Sequence, residues 1–433
     1  MSADLRCAAL LAWVLSCVPA TVLAQADAAK LVTLAISGPV LDPVAYVRAV
    51  LAVHPSLAAA RQTFSAAKAR ARQAGQLSDP MIHGSIAPLS VAPSQHRLGF
   101  ELGISQELPW FGTLGSERRA LEAETQAMSR DTEIARRELA LTARLLYDQY
   151  YVAARSLEIN AQHIALVEAL KQTVAAQISD GRGAAQDVLQ TEAQLATLER
   201  ERLMLQSDHE VVIAQLNELL RRTPEAALPP PLAELRRAPV VREPRSQLGA
   251  AEQRAEVQAA SSRARAESLK IAAGERGYFP SFRVSTSYSS MWDMPLHRWM
   301  VGVELNVPWP SERKAAAIDE ARALQARFQS ETAQLTAAAR TELYVAARRL
   351  SEAEDMLVLI ETRQLPIASE QIAAARAAFM ASRTTLTSVL EAERALRSAE
   401  LERELMRVEC DRRELALQRA LGRIPGLDAE ATP

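Results

Sequence analysis

The chain has 433 residues, with 50 Lys and Arg against 52 Asp and Glu and a formal net charge of −2, so no basic excess points to nucleic acid or another polyanion. Three cysteines spread along this length make no disulfide framework, which leaves packing to hold the fold. No Gly-rich phosphate loop, nucleophile elbow or paired-His helix occurs, and His54, His83, His96, His163, His209 and His297 are scattered, so neither an enzyme nor a resident cofactor is expected.

In chain order, Arg6 is followed by an apolar stretch from Cys7 to Leu23, closed by Val22-Leu23-Ala24 before Gln25, which reads as a signal peptide over 1–24 and an exported bacterial protein. Cys17, in Val14-Leu15-Ser16-Cys17, reads as part of the apolar signal core in preference to a lipoprotein site. The mature chain then keeps Cys410 alone. No later segment offers the roughly 18–20 uninterrupted apolar residues of a membrane-spanning helix, so any membrane crossing must be made by strands.

A first helix is expected from about Pro55 to Gln76, dense in Ala, Arg and Lys and ending beside Gly75. Two strands follow, at about 81–91 and 98–108. In the second, Leu98, Phe100, Leu102 and Ile104 alternate with Gly99, Glu101, Gly103 and Ser105, giving an apolar and a polar face. A very long, almost Gly-free helix is expected over about 114–178, a turn at Gly181-Arg182-Gly183, and a returning helix over about 186–221. Leu195, Leu198, Leu205, Val212, Leu216 and Leu219 give that return a coiled-coil-like spacing. Residues 25–222 form one structural repeat, and a Pro-rich connector over 223–245 carries Pro229-Pro230-Pro231, which favours extended backbone.

The same order then recurs over 246–425, with a helix from about Gln247 to Ala273 and strands at about 281–290 and 299–307. Phe282, Val284, Thr286 and Tyr288 alternate with Arg283, Ser285, Ser287 and Ser289, and Trp299, Val301, Val303, Leu305 and Val307 with Met300, Gly302, Glu304 and Asn306. A long helix over about 311–380, interrupted only by Pro366, turns at Ser382-Arg383-Thr384 into a helix over about 386–421, leaving a tail at 426–433. Residues echo at a displacement of about 200: Pro80 and Pro280, Gly103 and Gly302, Pro109-Trp110 and Pro308-Trp309, and Asp187 through Glu192 with Ser388 through Glu393. Leu216, Leu220, Arg222 and Pro224 are echoed by Leu417, Leu421, Arg423 and Pro425. The fold class expected is mainly α with a small β part, built from a duplicated helix-strand-strand-helix-helix unit.

Strands of about 10 residues with two contrasting faces suit a transmembrane barrel, and Trp110, Phe111, Tyr278, Phe279, Trp292, Trp299 and Trp309 fall at strand ends as interfacial girdles do. Four strands cannot close a barrel, so several chains must contribute. On this reading Glu101, Arg283, Glu304 and Asn306 line the lumen, and isolated Glu and Asp residues on the long helices read as solvated faces.

This ordered set resembles the TolC family of outer-membrane efflux proteins over nearly all of the mature chain. The carrying residues are His54-Pro55-Ser56-Leu57, Gly181 through Leu195, Leu386 through Leu396, Leu108-Pro109-Trp110-Phe111-Gly112 and Val307-Pro308-Trp309. The resemblance implies a homotrimer with a twelve-stranded barrel in outer-membrane lipid and a long helical barrel across the periplasm. It also implies a periplasmic adaptor (membrane fusion) protein and an inner-membrane RND-type pump as partners, with passive conduction of substrate to the exterior. It places Asp180, Gly181, Arg182, Gly183, Asp187, Ser382, Arg383 and Thr384 at the periplasmic tip, as candidates for docking or gating. The segment from Met291 to Met300 and the step Asp79-Pro80-Met81 look like the heavy-metal cation-efflux branch, with Met291, Met294 and His297 as candidate soft-metal contacts. Two rivals stand beside this reading: a soluble periplasmic coiled-coil adaptor or scaffold, and the same channel serving drug efflux or type I protein secretion.

Overall fold

Helix-favouring runs of Ala, Glu, Gln, Arg and Leu account for most of the chain, and period-two alternation for the rest of its regular structure. The computed structural model describes residues 29–87, 99–179, 184–235, 249–250, 252–292, 294–309, 312–425 and 427; the expected signal peptide and the turn residues Asp180, Gly181, Arg182 and Gly183 lie outside them. The elements are α1 (29–36), α2 (Pro43–Val53), α3 (Pro55–Ala74), β1 (Met81–Ala87), β2 (Gly99–Leu108), α4 (Thr113–Ser179), α5 (Ala185–Leu219), α6 (Ala255–Arg276), β3 (Ser281–Ser289), β4 (Trp299–Asn306), α7 (Glu312–Leu359), α8 (Leu365–Met380) and α9 (Leu386–Ala420). At 1.5 Å per residue the 67 residues of α4 extend about 100 Å. The helix expected from Gln247 begins at Ala255; of the strand expected over 81–91, Met81–Ala87 is described, and 88–91 lie outside the described residues.

Two compact units emerge, and each interleaves segments from both halves of the sequence: one takes 1–57, 135–251 and 339–433, the other 58–134 and 252–338.

The second unit holds a single antiparallel sheet in the order β1-β2-β3-β4. Its helices pack through small side chains, with Ala71, Ala120, Ala123, Ala127, Ala259, Ala260 and Ala266 buried. Arg263 pairs with Asp131 at 2.6 Å across two of those helices.

The first unit has its main core where α1, α2, α4 and α5 meet, around Leu41, Tyr46, Val47, Val50, Tyr147, Tyr150, Leu216 and Leu220. The buried phenols do not waste their hydroxyls. Tyr147 donates to Leu41 O at 2.8 Å and accepts from Leu232 N at 3.1 Å, while Tyr150 donates to Pro229 O at 2.9 Å. These bonds, and Leu41 N donating to Pro230 O at 2.8 Å, hold the start of the Pro-rich connector in a segment whose prolines cannot donate for themselves. The sequence alone did not reveal this arrangement, because the stretch before Pro55 carried no long periodic pattern.

The interruption expected at Pro366 in the helix over 311–380 takes the form of one wide turn, a π-helical segment over Ile360–Gln364. Pro366 explains its position: proline lacks an N–H and its ring crowds the carbonyl one turn back, and widening the turn relieves both. Leu365 N reaches back five residues to Ile360 O. Buried positions before this turn recur at Ala339, Leu343, Ala346, Leu350, Ala353, Leu357 and Ile360, and after it at Ala368, Ile372 and Phe379. The second set falls one position later than the three-four rhythm of the first would place it. Arg407 on Glu361 at 3.0 Å and Gln364 on Glu402 at 2.6 Å tie the wide turn to α9.

Three helices end in the same capping geometry. After α5, Arg221 is left-handed (φ 58°), with Arg221 N on Glu218 O and Arg222 N on Asn217 O. After α9, Gly422 takes the same role (φ 74°), with bonds to Arg419 O and Gln418 O. After α8, Ser382 does so (φ 56°), bonded to Phe379 O, with Arg383 N on Ala378 O. Each is a Schellman turn, whose left-handed position favours glycine. A side chain there costs roughly 1–2 kcal/mol, against roughly 0.5–1 kcal/mol of extra chain entropy for glycine. Arg221→Gly is therefore expected to raise stability by about 1 kcal/mol and Gly422→Ala to lower it by about as much. Thermal unfolding of the purified variants checks this, and midpoints that do not move in opposite directions would refute the assigned cap geometry.

Candidate functional site

Register divides the sheet into two chemically distinct faces. Ile82, Ile104, Thr286 and Val301 lie in one row across the four strands, and Gly84, Leu102, Tyr288 and Trp299 in another. Ile86, Phe100, Val284, Val303, Phe282 and Leu305 complete this face. It is open: Ile82 is 75% and Val301 80% exposed. Aromatic rings close it at both ends. Tyr288 meets Phe100 and Trp299 at centroid distances of 5.9 and 5.4 Å, and at the opposite end Trp110 stacks on Phe279 and Phe282 at 5.4 and 5.8 Å.

The other face carries small and polar residues. Arg283 sits in one row between Glu107 and Glu304, 3.2 Å from the Glu304 carboxylate and 3.8 Å from that of Glu107. Asn306 lies beside Ser281 in the next row, donating to its hydroxyl at 3.4 Å. Glu101 shares the face but stands at the far end, in register with Ser85 and Ser289. The expected set Glu101, Arg283, Glu304 and Asn306 thus splits into a cluster of three and one distant carboxylate. Glu107 joins the cluster and escaped the sequence reading, although it continues the alternation by one more step. Another row holds His83, Gly103, Ser287 and Met300. A Cβ on Gly103 would lie 2.5 Å from the His83 ring, so the glycine makes room for that imidazole. Exposed ion pairs of this kind add at most about 1 kcal/mol each; their effect is on the field over this face.

Of the loop residues, His297 packs edge-on against Trp292 at 6.3 Å in a short 3-10 turn over Pro295–Arg298, and Met291 and Met294 are exposed. Among the described residues no group of three or more His, Cys, Asp or Glu is placed to hold a metal ion.

At the helix turns, Leu170, Val174, Ile372, Phe379, Leu386, Val389 and Leu390 form one apolar cluster, joined by Val188. It gathers the end of α4 and the start of α5 with α8 and α9, so the described turn residues Asp187, Ser382, Arg383 and Thr384 sit beside a common support. Asp187 lies in the first turn of α5, where a carboxylate suits the helix dipole. Ser382 and Arg383 are exposed.

The expectation that acidic residues on the long helices face solvent is corrected at three places. His163 on α4 is buried and holds Glu393 through Nδ1 and Glu400 through Nε2, both at 2.8 Å, while Gln194 of α5 bonds the second Glu393 oxygen at 3.3 Å. Tyr151 donates to buried Glu404 at 2.7 Å, and Arg403 and Arg407 flank that carboxylate at 2.8 and 3.3 Å. Asp148 is fully buried 3.5 Å from Arg144, which also binds Asp411 at 2.7 Å. Burial and the neighbouring Asp411 push Asp148 well above the carboxylate range, against the pull of Arg144 and Arg412. Glu393 and Glu404 tolerate burial because they are hydrogen-bonded, whereas neither Asp148 oxygen has a hydrogen-bond partner among the described residues, which fits the direction of its shift. The Glu192–Glu393 echo is informative here, since Glu192 stays half exposed on Lys171 whereas Glu393 is sealed inside.

Burial by itself would lower His163, but the hydrogen bonds it donates to Glu393 and Glu400, and their charges, outweigh it and raise the imidazole to about 9. A folded-state value above the unfolded one of about 6.5 means the stabilisation is complete below pH 6.5 and disappears as pH climbs through about 9. Thermal stability measured from pH 6 to 10 is expected to show that loss. In His163→Phe the corresponding segment of the pH profile should flatten, with an overall penalty of about 3–5 kcal/mol for stranded carboxylates. An unaltered profile in the variant would remove His163 as its source.

No protein-family model and no curated protein matches the sequence. Solved structures do match the fold. The channel protein CusC is 19% identical with a TM-score of 0.75, covering 87% of this chain and 91% of its own. The outer-membrane channel OprN is 21% identical with a TM-score of 0.75, covering 88% and 90%, and the outer membrane protein VceC of Vibrio cholerae is 17% identical with a TM-score of 0.73, covering 87% and 95%. The chain therefore has the fold of these outer-membrane channels.

Proposed function

We propose that the chain is the outer-membrane exit duct of a tripartite efflux assembly, a TolC-like conduit without catalytic chemistry that passively carries solutes from an inner-membrane RND-type pump and a periplasmic adaptor to the exterior. The observation that carries this is the sheet: one apolar face left open by the described residues, aromatic residues at both its ends, and a polar opposite face. Water is a poor solvent for the first and lipid for the second, which is the arrangement of a barrel wall.

The strands β1 and β4 are the edges of an antiparallel set, so β4 of one copy meets β1 of the next in antiparallel sense. Three copies give a closed twelve-stranded barrel with no free edge. The likeness to OprN and VceC, an outer-membrane channel and an outer membrane protein, supports this reading over a soluble adaptor. The repeated element order over 25–222 and 246–425, with matched 35-residue return helices α5 and α9 and matched caps at Arg221 and Gly422, supports a duplicated unit. In this assembly the turns containing Asp180, Gly181, Arg182, Gly183, Asp187, Ser382, Arg383 and Thr384 form the periplasmic end that meets the adaptor, and Glu101, Arg283, Glu304 and Asn306 line the bore.

Soft heavy-metal cations are the cargo favoured by the side chains present. Met81, His83 and Met300 share the polar face, and exposed Met291 and Met294 accompany His297 in the loop before β4. Growth of a deletion strain with copper, silver, zinc, cobalt and hydrophobic drugs checks the cargo: sensitivity to metals alone is expected, and sensitivity to drugs alone would transfer the channel to that class.

For the barrel itself, Val301→Arg and Val303→Arg place a cation on the lipid face at a cost of about 2–4 kcal/mol near the midplane. Reduced recovery of heat-modifiable trimer from outer membranes is the expected outcome. Full recovery of both variants would show that this face does not meet lipid.

A further inference from the structure

At the Phe282 end of the apolar sheet face lies a groove of about 520 Å3, within the size range of small-molecule sites. Its walls include Leu77, Leu108, Trp110, Phe282, Val284 and Val303, and no ionisable side chain lines it. Trp110 stacks on Phe279 and on Phe282 at interplanar angles of 14° and 21°, presenting aromatic surface to the groove. Leu108, Phe282, Val284 and Val303 belong to the apolar face in register, so the groove opens directly onto it.

Two cations stand near its Trp110–Gly112 wall, one on Gly112 and one beside the ring that precedes Phe279, the partner of Trp110. Arg276, the last residue of α6, donates through Nη1 to the carbonyl of Gly112, a groove residue, at 2.5 Å. Lys314, in the first turn of α7, donates to Gly277 O at 2.8 Å and lies 5.6 Å from the Tyr278 ring, beside Phe279. Both therefore hydrogen-bond neutral carbonyls, and among the described residues neither forms an ion pair with a carboxylate. An apolar trough beside two uncompensated cations is complementary to an amphiphile with a long hydrocarbon chain and an anionic head.

We propose that this groove is a binding site for one anionic glycerophospholipid per chain, with an acyl chain against Trp110 and Phe282 and the phosphate beside Arg276 and Lys314. The proposal rests on the reading of the sheet as membrane-embedded and adds to it a defined lipid seat. Continuity with the lipid face selects a lipid over a free phosphate, which would gain nothing from the groove. Each basic residue near an anionic lipid headgroup is worth roughly a fivefold change in affinity.

The test is native mass spectrometry of the full-length protein, purified from membranes, exchanged into a zwitterionic detergent and titrated with dioleoyl phosphatidylglycerol or with dioleoyl phosphatidylcholine, which has the same chains and no net charge. Phosphatidylglycerol is expected to saturate at one per chain and to bind roughly fivefold or more tighter than phosphatidylcholine. Lys314→Gln and Arg276→Gln should each weaken phosphatidylglycerol by roughly fivefold and leave phosphatidylcholine unchanged. Arg313→Gln, at an exposed neighbour on the same turn, should alter neither, and Trp110→Ala should weaken both. Equal binding of the two lipids, indifference to Lys314→Gln, or displacement of phosphatidylglycerol by millimolar inorganic phosphate would overturn the site. Recovery of the protein from outer membranes without a lipid preference would remove the lipid seat and leave the channel; absence from membranes would remove both.

Discussion

The rows through Ile82, Ile104 and Val301 and through Leu102, Tyr288 and Trp299 form an apolar surface for which the described residues supply no cover. Burial of apolar area is the main force that holds folds together, so a sheet exposing such rows in water works against the rest of the molecule. The polar face behind it cannot be turned outward in exchange, because alternation fixes which residues share a side. In the proposed assembly, lipid outside and water inside satisfy both faces at once. There the edge strands β1 and β4 pair with further copies, because a sheet of four strands is too narrow to close on itself.

The helices answer a different constraint. Long paired helices joined by leucine and alanine contacts can slide past one another by a turn with little change in apolar burial, since the pattern repeats. Paired polar groups inside such a seam oppose sliding, because a shifted register strands charges away from water. His163 between Glu393 and Glu400, Tyr151 on Glu404, and Arg144 between Asp148 and Asp411 sit along α4 and α9 and act in this way. They define one alignment out of several that apolar packing alone would permit.

Much of this fold was readable from the residues. Alternation at Phe100 through Ile104 and at Trp299 through Leu305 identified both faces of the sheet, because strand periodicity is a property of a single segment. The helix turns at Ser382 and around Asp187 were likewise marked by local chemistry. The buried Glu393, Glu404 and Asp148 were not, because a carboxylate on a helix looks the same whether it faces water or a neighbour, and only the partners contributed from far along the chain decide. Glu107 was missed for a smaller reason, the window of alternation having been closed at Ser105. The core around Tyr46, Tyr147 and Tyr150 depends on carbonyls of Leu41 and Pro229, main-chain acceptors that no side-chain pattern announces.

The wide turn at Ile360–Gln364 alters what a change of chain length means for this molecule. Leu343 and Leu350 seat near Leu417 on one side of it, and Ile372 and Phe379 near Leu386 and Val389 on the other, although the inward stripe has slipped by one position between them. The extra residue of the wide turn is taken up locally within the helix, and the stripe downstream stays in contact with its partners. Long helices of this kind can thus accept insertions and deletions during divergence wherever a comparable bulge can form, so that lineages with little sequence in common and unequal helix lengths can retain the same seams.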